Sequence, residues 1–231
     1  MICVPITATT VEEAETEIEQ ANKVADAIEL RADYIRGIDS EKLHKLLKKC
    51  RKKTIVTIRK KIHRGKFSGS EKERIALMRN AIGFGADYID IELGVKPAII
   101  KSLAKNKGHT KIILSYHNFS STPRLEELVK IYGRMRAVEG PDVLKVVTYA
   151  KNINDNATVL ELLKEARKDK VKIAAFAMGL LGRDSRILSL PLGSYFTFAS
   201  LARGKESAEG QITVEQMKKI YQGLKFMLGG F

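Results

Sequence analysis

Short apolar runs recur along the chain at fairly even spacing, and most are rich in residues that favour β-strands. Eight such runs are present: ICVPIT (2–7), DAIELRAD (26–33), KTIVTIR (53–59), ADYIDIEL (86–93), KIILSYH (111–117), DVLKVVTY (142–149), VKIAAFAM (171–178) and SYFTFAS (194–200). Between them, apolar residues recur every three or four positions, which predicts amphipathic helices over 11–25, 70–85, 122–138 and 156–169. This alternation of strand and helix is typical of a parallel sheet.

The number of repeats favours a closed barrel over an open doubly wound sheet, because eight strand–helix units fit within 231 residues. No break in composition and no Pro/Gly/Ser-rich linker divides the chain, and 44% apolar residues suffice for one core. The sequence therefore predicts an α/β fold, a (β/α)8 TIM barrel, with residues 1–231 forming a single domain.

Cysteine usage and charge narrow the class of protein. Cys3 and Cys50 have no metal-ligand spacing and form no disulfide framework, and the N-terminus lacks the pattern of a secretory signal. No apolar stretch approaches the roughly 20 residues of a membrane helix. The formal charge of +14 permits either a polyanion or small anionic substrates, but the densest basic run, 45–53, carries no aromatic residue and reads as a solvated helix end. We expect a cytoplasmic protein without nucleic-acid or membrane partners.

Side-chain alternation within the strands predicts where the charged groups point. In the second run, Glu29, Arg31 and Asp33 share one face, whereas Ile28 and Leu30 share the other. In a barrel the apolar face packs under the helices and the charged face points to the axis, near the strand ends where barrel enzymes place their chemistry. The same alternation turns three further polar residues to the axis, namely Arg59, His117 and Lys145.

Lys145 and His117 are the candidate catalytic pair. Lys145 lies within an apolar run between valines, which favours an available amine, and His117 closes the preceding run. An amine nucleophile beside an imidazole is the combination that imine-forming acid/base chemistry requires. Each residue also has an ordinary structural explanation. His117 could be a loop histidine, and Lys145 could extend outward along the barrel rim. Asp90 and Glu92 could form structural ion pairs. The convergence of these groups on one mouth favours the functional interpretation.

Several motifs carry a family resemblance: IELRADYI, TIRKK, ADYIDIEL, SYHNFSSTP, DVLKVV, MGLLGRDSR with GSYFTFA, and SAEGQIT. In this order and spacing, the chain resembles the type I 3-dehydroquinate dehydratases over nearly its full length. The resemblance implies a hydro-lyase (EC 4.2.1.10) of the shikimate pathway, which leads to aromatic amino acids. It also implies an imine on Lys145, His117 as general base and then general acid, no metal or organic cofactor, and a homodimer. The basic helix after Thr122 carries apolar residues that fit such a contact.

The resemblance also assigns the substrate site for the carboxylate 3-dehydroquinate. Arg186 matches the arginine that binds the substrate carboxylate. Positions that bind hydroxyls or hold the catalytic groups are matched by Glu29, Arg31, Arg59, Ser207 and Gln211. Met178 and Phe198 match apolar walls, although ordinary core packing explains them nearly as well. The polar, glycine-bearing stretch 203–211 fits a loop that closes over substrate.

One stretch departs from the family pattern. After the arginine matching Arg59, family members usually carry a glutamate and two glycines, the glutamate helping to orient the histidine. Here His63 occupies the glutamate position and Arg64 the first glycine position. We expect either that Glu29 or Glu92 partly supplies the missing carboxylate, or that His63 acts as an auxiliary base.

Two other functions remain open on the sequence alone. An imine-forming barrel aldolase would share the lysine but needs a phosphate site near the last two strands, and the GS of LPLGSYFTF lies at the wrong end of its strand. A basic nucleic-acid-binding protein is compatible with the charge but leaves the strand-end residues unexplained.

Overall fold

A computed structural model describes residues 1–228 of the chain. Its strands are β1 (Ile2–Ile6), β2 (Ala27–Arg31), β3 (Lys53–Thr57), β4 (Tyr88–Glu92), β5 (Lys111–His117), β6 (Val143–Tyr149), β7 (Ile173–Met178) and β8 (Thr197–Phe198). The helices are α1 (Val11–Val24), α2 (Ser40–Lys49), α3 (Glu71–Gly83), α4 (Pro97–Lys105), α5 (Leu125–Arg136), α6 (Asp155–Lys168), α7 (Arg183–Ser189) and α8 (Val214–Leu228). Short 3₁₀ turns occupy Ala32–Tyr34, Lys61–His63 and Leu180–Gly182.

All eight strands pair in parallel, in the spatial order β7-β6-β5-β4-β3-β2-β1-β8. The barrel closes between β7 and the segment before β8, where the Tyr195 amide donates to the Ile173 carbonyl at 2.7 Å. The predicted TIM barrel is therefore confirmed. The eighth strand is much shorter than the predicted 194–200, because the backbone of Ser200 pairs with Ile212 and Val214 instead of continuing beside β1.

Two apolar layers follow from the alternation of side chains along the strands. Outward-facing residues such as Ile28, Leu30 and Val56 pack against the helices in the larger core. The barrel interior holds a second cluster, whose members include Ile55, Tyr88, Val143, Phe176, Phe196 and Phe198. Because this interior cluster fills the barrel, polar side chains are left to meet at the mouth formed by the carboxyl ends of the strands.

Local signals fix the start of α3, the helix beside β3 and β4. Ser70 and Glu73 form a reciprocal capping box, and the next residue of α3, Arg74, is fully buried. Arg74 contacts Glu92 at the end of β4. No helix within residues 1–228 is long and apolar enough to span a bilayer.

Candidate active site

A small cavity of about 80 Å³ opens at the carboxyl ends of the strands. Its lining includes most of the residues singled out in the sequence: Glu29, Arg31, Arg59, His117, Lys145, Met178, Arg186, Phe198, Ser207 and Gln211. A groove of about 790 Å³ lies alongside and shares only Tyr34 with it. The larger groove contains neither the amine nor the imidazole, so the candidate catalytic pair lies in the smaller cavity.

Lys145 is buried in the middle of β6 and points into the barrel mouth. Its Nζ lies 3.0 Å from Asp90 Oδ2 and 3.2 Å from Glu29 Oε1, and sits 4.4 Å from the centre of the Phe198 ring. Burial alone would raise the pKa of both carboxyls, but the charge of Lys145 and those of the neighbouring arginines together outweigh it and hold both pKa values below their usual ranges. The lysine therefore meets two carboxylates as well as its valine neighbours.

His117 ends β5 at the rim of the same cavity. Its Nε2 lies 3.1 Å from Arg59 Nη1, and its ring stacks on Phe119 with centroids 5.5 Å apart. A guanidinium only donates hydrogen bonds, so Nε2 is the acceptor and the imidazole is neutral in this state. Burial lowers the pKa of His117 well below its usual value, and the Arg59 and Lys145 charges lower it further. A neutral imidazole beside a primary amine is the form that can accept a proton.

Asp90 links the amine to the imidazole, a role that the sequence left undecided. Oδ1 of Asp90 accepts from Arg59 Nη2 at 2.9 Å and from Ser115 Oγ at 2.7 Å, while Oδ2 contacts Lys145. Thr57 Oγ1 likewise donates to Glu29 Oε1, the other carboxylate that contacts Lys145, at 2.8 Å. The threonine and serine were not predicted. Their positions, directly facing the axis on β3 and β5, are the only signal that marks them.

Arg31 is held by its own turn rather than left free for a ligand. It makes a two-pronged contact with Asp33, at 2.9 and 2.8 Å, and lies over the Tyr34 ring at 4.6 Å. Burial opposes its charge, but the bonds to Asp33 outweigh burial and raise the pKa of Arg31. Arg31 thus presents a fixed cation at the cavity wall.

Arg186 differs from the other cations of the mouth. It is 1% exposed, yet its Nε and Nη2 have no hydrogen-bond partner among the described residues. Its guanidinium lies 4.5 Å from the Phe176 ring centre. Four other buried cations of the mouth each contact a carboxylate, namely Lys145, Arg59, Arg31 and Arg74. Burial lowers the pKa of Arg186 to about 10. A buried guanidinium that lacks a neighbouring carboxylate is a suitable place for an anionic ligand.

The stretch 203–211 lies across the mouth between β8 and α8. Gln211 is buried and ties the loop to itself, accepting from the Ser207 amide at 2.9 Å and donating to Ser207 Oγ at 3.0 Å. Glu209 accepts from Tyr149 Oη at 2.8 Å and, through its carbonyl, from the Gly179 amide at 3.1 Å. Three residues of the loop, Ser207, Ala208 and Gln211, therefore line the cavity, while its backbone contacts Gly179 directly after β7.

The two residues that depart from the family pattern are separated. Arg64 lines the cavity and lies 4.8 Å from the centre of the Phe119 ring, in a left-handed conformation with φ 56°. His63 is not among the lining residues, and its Cε1 lies near Gly94 after β4. Met178 and Phe198 both line the cavity and also belong to the interior cluster, so packing and binding are combined at these positions.

Comparisons with known proteins show what this chain is similar to. The chain matches the family model described as Type I 3-dehydroquinase over residues 2–226. It is 35% identical over 222 residues to 3-dehydroquinate dehydratase of Methanococcus maripaludis (strain C7), covering 95% of this chain and 98% of that protein. It is 35% identical over 224 residues to the chloroplastic bifunctional 3-dehydroquinate dehydratase/shikimate dehydrogenase of Arabidopsis thaliana, but spans 36% of that protein. The crystal structure of 3-dehydroquinate dehydratase from Geobacillus kaustophilus HTA426 superposes with a TM-score of 0.88 at 28% identity, covering 97% and 91% of the two chains.

Proposed function

The chain belongs to the type I 3-dehydroquinase family, and we propose that it dehydrates 3-dehydroquinate through an imine formed on Lys145. The reaction yields 3-dehydroshikimate and water, and it is a step of the shikimate pathway. One observation carries the assignment of roles: a single cavity holds a buried amine, a neutral imidazole and a guanidinium without a counter-ion. A ketone that also bears a carboxylate satisfies all three.

In the proposed binding mode, the substrate carboxylate meets Arg186. The empty Nε and Nη2 suit a carboxylate, which can accept two parallel hydrogen bonds from a guanidinium. Substrate hydroxyls then face Arg31, Ser207 and Gln211, whose side chains line the same cavity. Phe198 covers the apolar face of the ring beside the lysine. This arrangement brings the substrate ketone to Lys145.

The proposed chemistry begins when the neutral amine of Lys145 attacks the ketone carbon. Asp90 and Glu29 are in place to hold the proton that the ammonium gives up, because both contact Nζ. Return of that proton to the hydroxyl of the carbinolamine lets the hydroxyl leave as water and forms a protonated C=N bond, which acidifies the neighbouring C–H. His117 removes that proton to give an enamine. The enamine electrons expel the β-hydroxyl, which takes the proton from His117 and leaves as water, and hydrolysis of the imine then frees Lys145.

The wider setting forms part of the same proposal and rests on the resemblance. We infer a single-domain, cytoplasmic homodimer that needs no cofactor and does not bind nucleic acid. Helix α5 supports a contact between copies, because Val129 on its outer face is 38% exposed. Light scattering of the purified protein tests this part, and a monomer at micromolar concentration would reject the dimer.

The roles of the two catalytic residues are tested by variants that separate imine formation from proton transfer. Lys145→Met should abolish turnover, followed by the ultraviolet absorbance of the conjugated product. His117→Asn should still form the imine but lower kcat by about 10²–10⁴, the contribution typical of general acid/base catalysis. If His117→Asn kept more than about a tenth of the wild-type kcat, the histidine would not be the base.

A further inference from the structure

The Arg59 guanidinium contacts three side chains on β4 and β5. Nη2 lies 2.9 Å from Asp90 and Nη1 lies 3.1 Å from His117. Nε lies 3.4 Å from Glu92 Oε1, within ion-pair range. Both Nε of Arg59 and Oε1 of Glu92 are buried and have no hydrogen-bond partner within residues 1–228. Arg59 Nε and Glu92 Oε1 therefore face each other without forming a hydrogen bond.

Glu92 is anchored on its other side. Its Oε2 lies 2.9 Å from Nη1 of Arg74, and the same nitrogen donates to the Ile58 carbonyl at 3.0 Å. Arg74 in turn contacts Glu71 on its own helix at 2.8 Å. Because helix α3 holds Glu92 in place, a closer contact requires Arg59 to move. A shift of a few tenths of an ångström toward Glu92 would complete that bond.

Such a shift answers a difficulty in the proposed reaction. When His117 takes the substrate proton it becomes a cation, and Arg59 then stands 3.1 Å from a like charge. The other charged groups around the imidazole come from every neighbouring strand end or loop: Glu29, Arg31, Arg64, Asp90 and Lys145. Position 63, where the family usually has a carboxylate, carries a histidine that is not among the residues lining the cavity. Arg59 is thus the charged group within hydrogen-bond distance of the imidazole, and its Nε has a second carboxylate within reach.

We propose that Glu92 is a positioning residue for the dehydration, drawing the Arg59 guanidinium away from His117 while the imidazole carries the substrate proton. The inference rests on the proposed function. In the resting state Arg59 donates to His117 and keeps the imidazole neutral. As the proton arrives, Arg59 turns its Nε to Glu92 and gives up the bond to Nε2. When the proton leaves with the hydroxyl, Arg59 returns.

Glu92→Gln tests the proposal because it keeps the shape of the side chain and removes its charge. Arg59 would then stay near His117 and remain less neutralised. We expect kcat to fall by about 10–100-fold with KM nearly unchanged, and the acid limb of the kcat/KM profile to move down by about one pH unit. Glu71→Gln is the matched control, because Glu71 also contacts Arg74 but does not touch Arg59. Its acid limb should stay at the wild-type position.

An acid limb that Glu92→Gln leaves at the wild-type pH would overturn the proposal. Borohydride trapping on the same samples separates the two levels: absence of a Lys145 adduct in wild type rejects the imine, whereas adducts in both proteins with an unmoved limb reject only the role of Glu92. If Glu92→Gln does not fold, NMR of wild type decides. The Arg59 Nε–H resonance should move downfield when His117 is protonated in the reduced adduct, and an unchanged resonance would refute the shift.

Discussion

Replacing Arg186 by methionine should make the protein more stable and at the same time destroy its affinity for substrate. Arg186 is buried to 1% exposure with Nε and Nη2 unpaired, and nothing in the described chain neutralises it. Methionine fills a similar space without a charge. The expected outcome is therefore a trade of function for stability at a single residue.

The size of the effect follows from burial of the charge. Burial lowers the pKa of Arg186 to about 10 from an ordinary 12.5, and a difference of that size corresponds to about 3 kcal/mol against the charged form. At pH 7, below both values, the residue is a cation in the folded and unfolded chains, so the folded state bears the whole cost. The Phe176 ring, 4.5 Å away, offsets about 1–2 kcal/mol. The net gain of Arg186→Met is about 1–2 kcal/mol, or roughly 2–8 °C in Tm.

The binding cost should be larger than the stability gain. Removing one partner of a buried, hydrogen-bonded charge pair costs about 2–5 kcal/mol, which weakens substrate binding by about 30-fold to several thousand-fold. Differential scanning calorimetry with and without 3-dehydroquinate measures both quantities, since substrate should raise the Tm of wild type and not that of the variant.

Arg74→Met is the matched control for this comparison. Arg74 is also 1% exposed, but it contacts Glu71 and Glu92. Removing it strands a buried carboxylate, so it should destabilise the fold by about 3–5 kcal/mol. If Arg186→Met were destabilising by a similar amount, or kept the wild-type KM, Arg186 would not be an empty anion site.

Three further outcomes follow from the geometry. Gly210→Ala should lower kcat/KM by about 10-fold or more, because an added Cβ would lie 2.1 Å from the Gly179 carbonyl oxygen and keep the loop away from the mouth. Gly204→Ala is its control, because Gly204 has a similar φ and an added Cβ there would meet no atom within 4 Å. Equal losses in both variants would reject the explanation. The two carboxylates that contact Lys145 have pKa values in the folded protein below their usual ones. The stability that they contribute is therefore present above about pH 4 and is lost as the pH falls further. A free energy of unfolding in urea that is the same at about pH 5 and about pH 3 would contradict this. His63→Glu should move the acid limb by less than about 0.3 pH unit, because position 63 lies outside the cavity lining; a larger shift would show that this position tunes the catalytic imidazole.

The barrel and much of its mouth could be predicted because the information is local. Alternation along β2 already separates Glu29 and Arg31 from Ile28 and Leu30, and strand–helix repeats fix the topology. The network around Arg59 could not be predicted, because it depends on which strand ends are neighbours and on a helix residue, Arg74, that reads as an ordinary surface arginine. The length of β8 was overestimated for a related reason: the backbone of residue 200 finds a partner only after the chain returns before α8.

Imine formation on Lys145 is the central claim, and trapping it is the most direct measurement. The protein is incubated with 3-dehydroquinate, reduced with borohydride and mapped by peptide mass spectrometry, with Lys145→Met as the blank. The account predicts a substrate-dependent mass increase on the peptide containing Lys145 and no increase in the blank. Turnover without any adduct on Lys145, or an adduct on a different lysine, would contradict it.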